Sequence, residues 1–174
     1  MLMSGQRELH FKKETPSRRK AILSRLAREQ VVVRIYQADC TRGEDRARRS
    51  CLEHLVEDLL DVGAHRLVMD SREMRDADDR STIHDVIVAH SHAGVFGYEH
   101  LDSTQEPLLW IADAIAWCHG AGGEWMRRVE PMIEEVVDLR NTLGKREARP
   151  PTVRTGNRAH FPRLLARADI EVSS

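Results

Sequence analysis

Val31-Val32-Val33-Arg34-Ile35-Tyr36 is β-branched and nearly continuous in apolar character, as the central strands of sheets covered on both faces are. It reads as a strand from Val31 to Ala38 that ends at Asp39. Downstream, from Glu44 to Asp61, Ala47, Cys51, Leu52, Leu55, Val56, Leu59 and Leu60 recur every three or four residues, and Gly63 follows as a stop. That is the clearest amphipathic helix in the chain. Arg66-Leu67-Val68-Met69-Asp70 reads as a second short strand, Asp76 to His92 as a helix with the stripe Ile83, Val86, Ile87 and His90, and Phe96 to His100 as another strand. Pro107 opens an apolar helix that Gly120 to Gly123 break, and Trp125, Val129, Met132, Ile133, Val136 and Val137 predict a last amphipathic helix. Upstream, Glu8 to Lys13 alternates polar and apolar like a strand with one wet face, and Thr15-Pro16 caps and starts a helix through about Glu29. The order β-α-β-α-β-α-β-α-α predicts an α/β domain with a partly parallel sheet.

A chain of 174 residues, 41% hydrophobic and 32% charged, suffices for one domain with a real core, expected over 1–143. From 144 to 174, Gly144, Pro150-Pro151, Gly156 and Pro162 interrupt an arginine-rich, apolar-poor stretch that reads as a basic flexible tail. A solvated tail is the ordinary reading; as a nucleic-acid arm, Arg146, Arg149, Arg154 and Arg158 would contact phosphates in a salt-dependent way. The three cysteines show neither C-x-x-C spacing nor an even count. They indicate no disulfide framework and no zinc knuckle, and cytoplasmic residence is expected. No apolar run is long enough to span a bilayer and no signal-peptide core is present, so no membrane association is expected.

The most apolar stretch, Leu108-Leu109-Trp110-Ile111-Ala112-Asp113-Ala114-Ile115-Ala116-Trp117, contains a lone aspartate. A helix of this composition is expected to be buried nearly all round, and a carboxylate within it requires a cation, a metal or converging donors. Trp110, Trp117 and Glu106 share roughly its face at helical spacing. The same pattern suits a structural pair with an arginine. Two predicted strands end on Asp39 and Asp70. With Asp113 they make three carboxylates that could meet beyond the carboxyl ends of parallel strands, where open α/β sheets bind ligands. Such a set suits Mg²⁺ or Mn²⁺, which take oxygen ligands and activate water against a phosphodiester. A strand-terminal aspartate also starts turns unaided. His84, His90 and His92 lack the spacing of a histidine metal site, and Glu99-His100 either flanks a site or lies on a wet edge. Gly120-Ala121-Gly122-Gly123 follows a helix and therefore stops it; it is no phosphate cradle. Serine-hydrolase and P-loop signatures are absent, and no organic cofactor is expected.

Several runs carry a resemblance: Leu9-His10-Phe11-Lys12-Lys13-Glu14, Arg66-Leu67-Val68-Met69-Asp70-Ser71-Arg72, Tyr98-Glu99-His100 and, most specifically, Glu106 through Trp117. Over about residues 4 to 139 the chain resembles uncharacterised actinobacterial proteins, which in turn look like the large bacterial family of unknown function with an RNase H-like fold. The resemblance implies a mixed five-stranded sheet flanked by helices. It also implies an acidic two-metal site: Asp113 and Asp70 as metal ligands, with Glu14 and Glu106 as further catalytic members. Relatives begin with a strand bearing an Asp-Glu pair and then a second strand, whereas this chain opens at Ser4-Gly5-Gln6, downstream of both. The sheet is then expected to lack its first two strands, unless the natural protein is longer. A shortened protomer should dimerise through the open edge or fill it with its own tail.

Two functions follow as expectations. One is a Mg²⁺- or Mn²⁺-dependent nuclease-like phosphodiester hydrolase, or an inactive relic of one. The other is a non-catalytic binding or assembly module that homo-oligomerises through the open sheet edge.

Overall fold

The structure is a computed structural model that describes residues 9–29, 31–90, 96–140 and, for the backbone, 164–171. It is a mixed α/β arrangement built on two small parallel sheets. Strand β1 (Val32–Asp39) is central in the first, between β4 (Ile133–Asp138) and β5 (Leu164–Glu171), in the order β4-β1-β5. Strands β2 (Arg66–Asp70) and β3 (Gly97–Leu101) make the second, in register from Arg66 opposite Gly97 to Asp70 opposite Leu101. Parallel pairing forces a crossover, and helix α3 (Asp76–Ala89) supplies it between β2 and β3.

The β-branched run at β1 is explained by cover on both faces. Val33 and Ile35 enter one core with Ile22, Leu23 and Leu26 of helix α1 (Pro16–Leu26) and Trp110, Ala114 and Ile115 of helix α4 (Leu108–Ala121). Tyr36 and Ala38 enter the other, against the stripe of helix α2 (Glu44–Asp61), which also takes Leu67 of β2 and Ile83 of α3. Helix α2 thus joins the two sheets, and its predicted bounds and buried stripe agree with those observed. Thr15 caps α1 as expected, its hydroxyl accepting from the Arg18 amide at 3.3 Å.

Two expectations are corrected. The segment read as a strand over 8–13 contains a 3-10 turn at Phe11–Lys13. Its carbonyls find tertiary donors: Arg19 Nε donates to the Phe11 oxygen at 3.1 Å and its Nη2 to that of Lys12 at 2.6 Å. The last predicted helix stops early. Helix α5 (Gly123–Val129) gives way to a 3-10 turn at Glu130–Met132 and then to β4. Pro131 cannot donate in a continuing helix, and the β-branched Ile133, Val136 and Val137 pair with β1 instead. Among the described residues the five strands form parallel groups of three and two.

The segment read as a flexible tail contributes β5, which pairs with β1 from Val32 opposite Leu164 to Asp39 opposite Glu171. β1 thus has a parallel neighbour drawn from the C-terminal segment on the side away from β4. No helix among the described residues is long and apolar enough to cross a membrane.

Candidate functional site

The helix that carries Asp113 is apolar, yet Asp113 itself is exposed. Trp110, Ala114, Ile115 and Cys118 turn into the core, and the aspartate occupies the remaining wet face of α4. Burial therefore does not explain this carboxylate, and a compensating buried cation is not required. Asp70, at the carboxyl end of β2, is also exposed. Glu14 is half-buried and lies 2.8 Å from Arg18 Nε across one turn. Glu106, half-buried, folds back at the start of α4 and accepts from the Leu108 amide at 3.1 Å. Of the four sequence-predicted carboxylates, Asp113 and Glu106 thus sit on α4 and at its start, Asp70 at the end of β2 and Glu14 just before α1. Arg146, Arg149, Arg154 and Arg158 lie outside the described residues.

The carboxyl edge of the three-stranded sheet is acidic. Asp39 ends β1, Asp138 ends β4 opposite Gln37, and Glu171 ends β5 opposite Asp39, with Asp169 two residues earlier opposite Gln37. Asp39 and Asp138 are engaged locally. Asp39 accepts from the Thr41 hydroxyl at 2.7 Å and its amide at 2.9 Å, and these bonds hold its carboxyl below the usual range. Asp138 is brought down to about 2 by the Arg140 side chain and then its backbone amide. Both are Asx-type turns, the local use that strand-terminal aspartates commonly have. Helix α4 packs against β5, so the element bearing Asp113 adjoins the strand bearing Asp169 and Glu171.

A different group converges on the second sheet. Among the described residues, Asp76, Asp79 and His100 are the one set of three or more metal-ligating side chains whose ligand atoms lie within 4.8 Å of one another. None of the four expected carboxylates belongs to it. Asp76 and Asp79 stand three apart on the first turn of α3, hence on one face, and His100 reaches them from β3. Residues just beyond β2 hold Asp76: the Ser71 hydroxyl and the Arg72 amide each donate to it at 2.8 Å. Although desolvation opposes it, donation from the Arg72 amide and then Ser71 leaves that carboxyl below its ordinary value. Arg48 of α2 grips Asp79 with two bonds, Nε to Oδ1 at 2.9 Å and Nη2 to Oδ2 at 2.6 Å.

His100 was legible in sequence only as one of the Glu99-His100 pair, which either flanks a site or lies on a wet edge. Its side chain is 3% exposed. Asp76 and Asp79 resembled helix-start acids stabilised by the macrodipole, and their i, i+3 spacing was the one signal that they share a target. An apolar cleft of about 510 Å³ lies elsewhere, bounded by Leu9, Ile22, Leu26, Leu108, Trp110 and Ile111. No titratable side chain lines it, so it offers shape without acid-base chemistry. Comparison with protein-family models, with curated proteins and with solved structures gave no match to this chain.

Proposed function

We propose that the chain is a divalent-metal-dependent phosphodiester hydrolase of RNase H-like architecture, or a relic of one, working at the carboxyl edge of the three-stranded sheet. The observation that carries this reading is the pairing of β5 with β1. It places Asp169 and Glu171 in register with Gln37 and Asp39, on a strand that adjoins the Asp113 helix. Carboxylates at the carboxyl ends of parallel strands are where an α/β sheet binds ligands. Asp113 and Asp70 are the expected metal ligands from the sequence resemblance, and Glu14 and Glu106 are its further expected members; Asp70 ends β2 of the other sheet. The exposure of Asp113 and Asp70 supports that role, since ion and substrate can reach them.

In this reading Mg²⁺ or Mn²⁺ lowers the pKa of a bound water and stabilises the leaving oxygen of the phosphodiester. The chain's residues hold the ions and orient the backbone. Arg146, Arg149, Arg154 and Arg158, which follow β4 in the sequence, would engage phosphates. Wild type and Asp113→Asn, melted with and without millimolar Mn²⁺ or Mg²⁺, test the reading. Ion that binds only the folded state raises the midpoint by mass action. The wild type is expected to shift and the variant not, with cleavage of a single- or double-stranded oligonucleotide following the same pattern. Equal shifts, or none in either chain, would remove Asp113 from the ligand set.

A non-catalytic assembly module is favoured by one observation. β4 ends the sheet order, and Val136 on it is 39% exposed. A free strand edge with an exposed apolar residue invites pairing with a second copy. A monomer mass in solution at high concentration rejects this second reading.

A further inference from the structure

We propose that Asp76, Asp79 and His100 form a binding site for one late first-row divalent cation, of the Zn²⁺ class. The site is separate from the sheet edge considered above and does not depend on that reading. The carboxylates alone would carry no such assignment, because acidic groups at a helix start are ordinary. His100 changes the argument. Its side chain is 97% out of solvent by its 3% exposure, it points between the two aspartates, and neither ring nitrogen has a hydrogen-bond partner.

A buried imidazole left without partners loses the hydrogen bonds it would make in water, at a cost that natural interiors avoid. Nε2 stands 3.5 Å from Asp79 Oδ2 and 3.9 Å from Asp76 Oδ1. Both separations exceed the 2.7 to 3.2 Å range of an N–H···O bond. They are close to what a shared cation requires: nitrogen and oxygen ligands each about 2.0 to 2.2 Å from a tetrahedral ion lie about 3.3 to 3.6 Å apart. Small inward movements of Asp76 and His100 would complete the geometry.

The surroundings are those of a supported ligand set. Every oxygen of the two carboxylates already accepts one bond, from Ser71, from the Arg72 amide or from Arg48, and each keeps a second acceptor site for an ion. Such outer bonds fix the orientation of ligating groups. Charge agrees as well. Arg48 pairs directly with Asp79 and Arg80 acts on Asp76 from a greater distance, so the second carboxylate has no direct ion pair with a guanidinium. The donor set selects the ion: imidazole suits Zn²⁺, Fe²⁺ and Ni²⁺ and is not a ligand that Mg²⁺ or Ca²⁺ prefer. Three protein ligands leave one position for water. The ion would tie β3 to the start of α3, closing the β2-α3-β3 unit.

The competing occupant is a proton, with His100 charged and paired to both aspartates. Full-length chain stripped with chelator, then titrated with Zn²⁺ by calorimetry, separates the two. One tightly bound ion is expected at this site, with its affinity reduced more than about 100-fold in His100→Gln and unchanged in Glu29→Gln, which alters an exposed carboxylate paired with Arg25 that belongs to neither site. X-ray absorption of the Zn²⁺-loaded wild type should show one imidazole nitrogen with carboxylate oxygens and no sulfur, and this readout does not depend on the variant's folding. The proposal is overturned if the folded wild type takes up no Zn²⁺. It is equally overturned if His100→Gln binds as tightly, or if the absorption shell contains several histidines or a thiolate. Zn²⁺ bound here while Asp113→Asn abolishes the Mn²⁺ shift would establish two independent sites; loss of either effect alone identifies which reading fails.

Discussion

At the scale of single residues, environment decides what a polar group in an apolar run is for. Asp113 stands in the most hydrophobic helix and faces solvent, whereas Tyr36, in the central strand, is fully buried and needs its hydroxyl satisfied. The Tyr36 hydroxyl donates to Asp58 Oδ2 at 2.7 Å, and Arg34 Nη1 lies 3.6 Å from the same oxygen. Burial, and then the Asp58 carboxylate, push the phenol far above its usual value of 10.0. Burial also pushes the Cys118 thiol up from 9.0 to about 12. The folded chain therefore holds both protons more tightly than the unfolded chain does. Their stabilisation is complete below the unfolded values and is lost as pH rises past them and through the folded ones. Denaturant midpoints measured between about pH 8 and 11 should fall with rising pH, and less steeply in Tyr36→Phe. That variant should be less stable at neutral pH by about 1.5 kcal/mol, the low end for a bond to a charged acceptor, since Arg34 remains near Asp58.

Elements were legible where one period dominates. The α2 stripe recurs every three or four residues over 18 residues and could be nothing else. The segment after Trp125 was misread because Val129, Met132, Ile133, Val136 and Val137 also satisfy helical spacing. What decides it is a partner: β1 offers an edge, and β4 there alternates half-buried and exposed positions. The break between α4 and α5 is set by backbone geometry. Gly122 has φ 66° and ψ −163°, a region that residues with a side chain rarely enter. A Cβ at Gly122 would meet nothing within 4 Å. Gly122→Ala should still cost about 1 to 3 kcal/mol, through conformation alone. Chemical denaturation reads this directly, and a change near zero would show that α4 and α5 can be joined in another way.

For the whole molecule, the telling feature is that β1 has neighbours on both sides, one of them from the largely apolar run Leu164 to Ile170 inside the stretch that reads as a basic tail. Removing residues 164–174 would expose the full edge of a strand whose two faces are core. Such an edge templates pairing with another chain. The shortened protein is expected to melt lower than the full chain and to elute as a dimer or larger species. Light scattering on the two forms at matched concentration checks this; an unchanged monomer would show that β5 contributes little to closing the sheet.

The alternation of strands and helices, the cover on both faces of Val31 to Tyr36, the bounds of α2 and the cap at Thr15 follow from residue type and spacing, because each is governed by local sterics and by which side chains leave water. Only the tertiary structure decided that Asp113 is wet, that β4 is a strand and that Asp76, Asp79 and His100 meet. Each of those depends on residues far apart in the chain. A carboxylate on a helix has no burial of its own until the neighbours are in place, an ambiguous apolar run takes the form of the edge it meets, and a three-residue cluster drawn from a helix start and a parallel strand exists only once the crossover between them has closed.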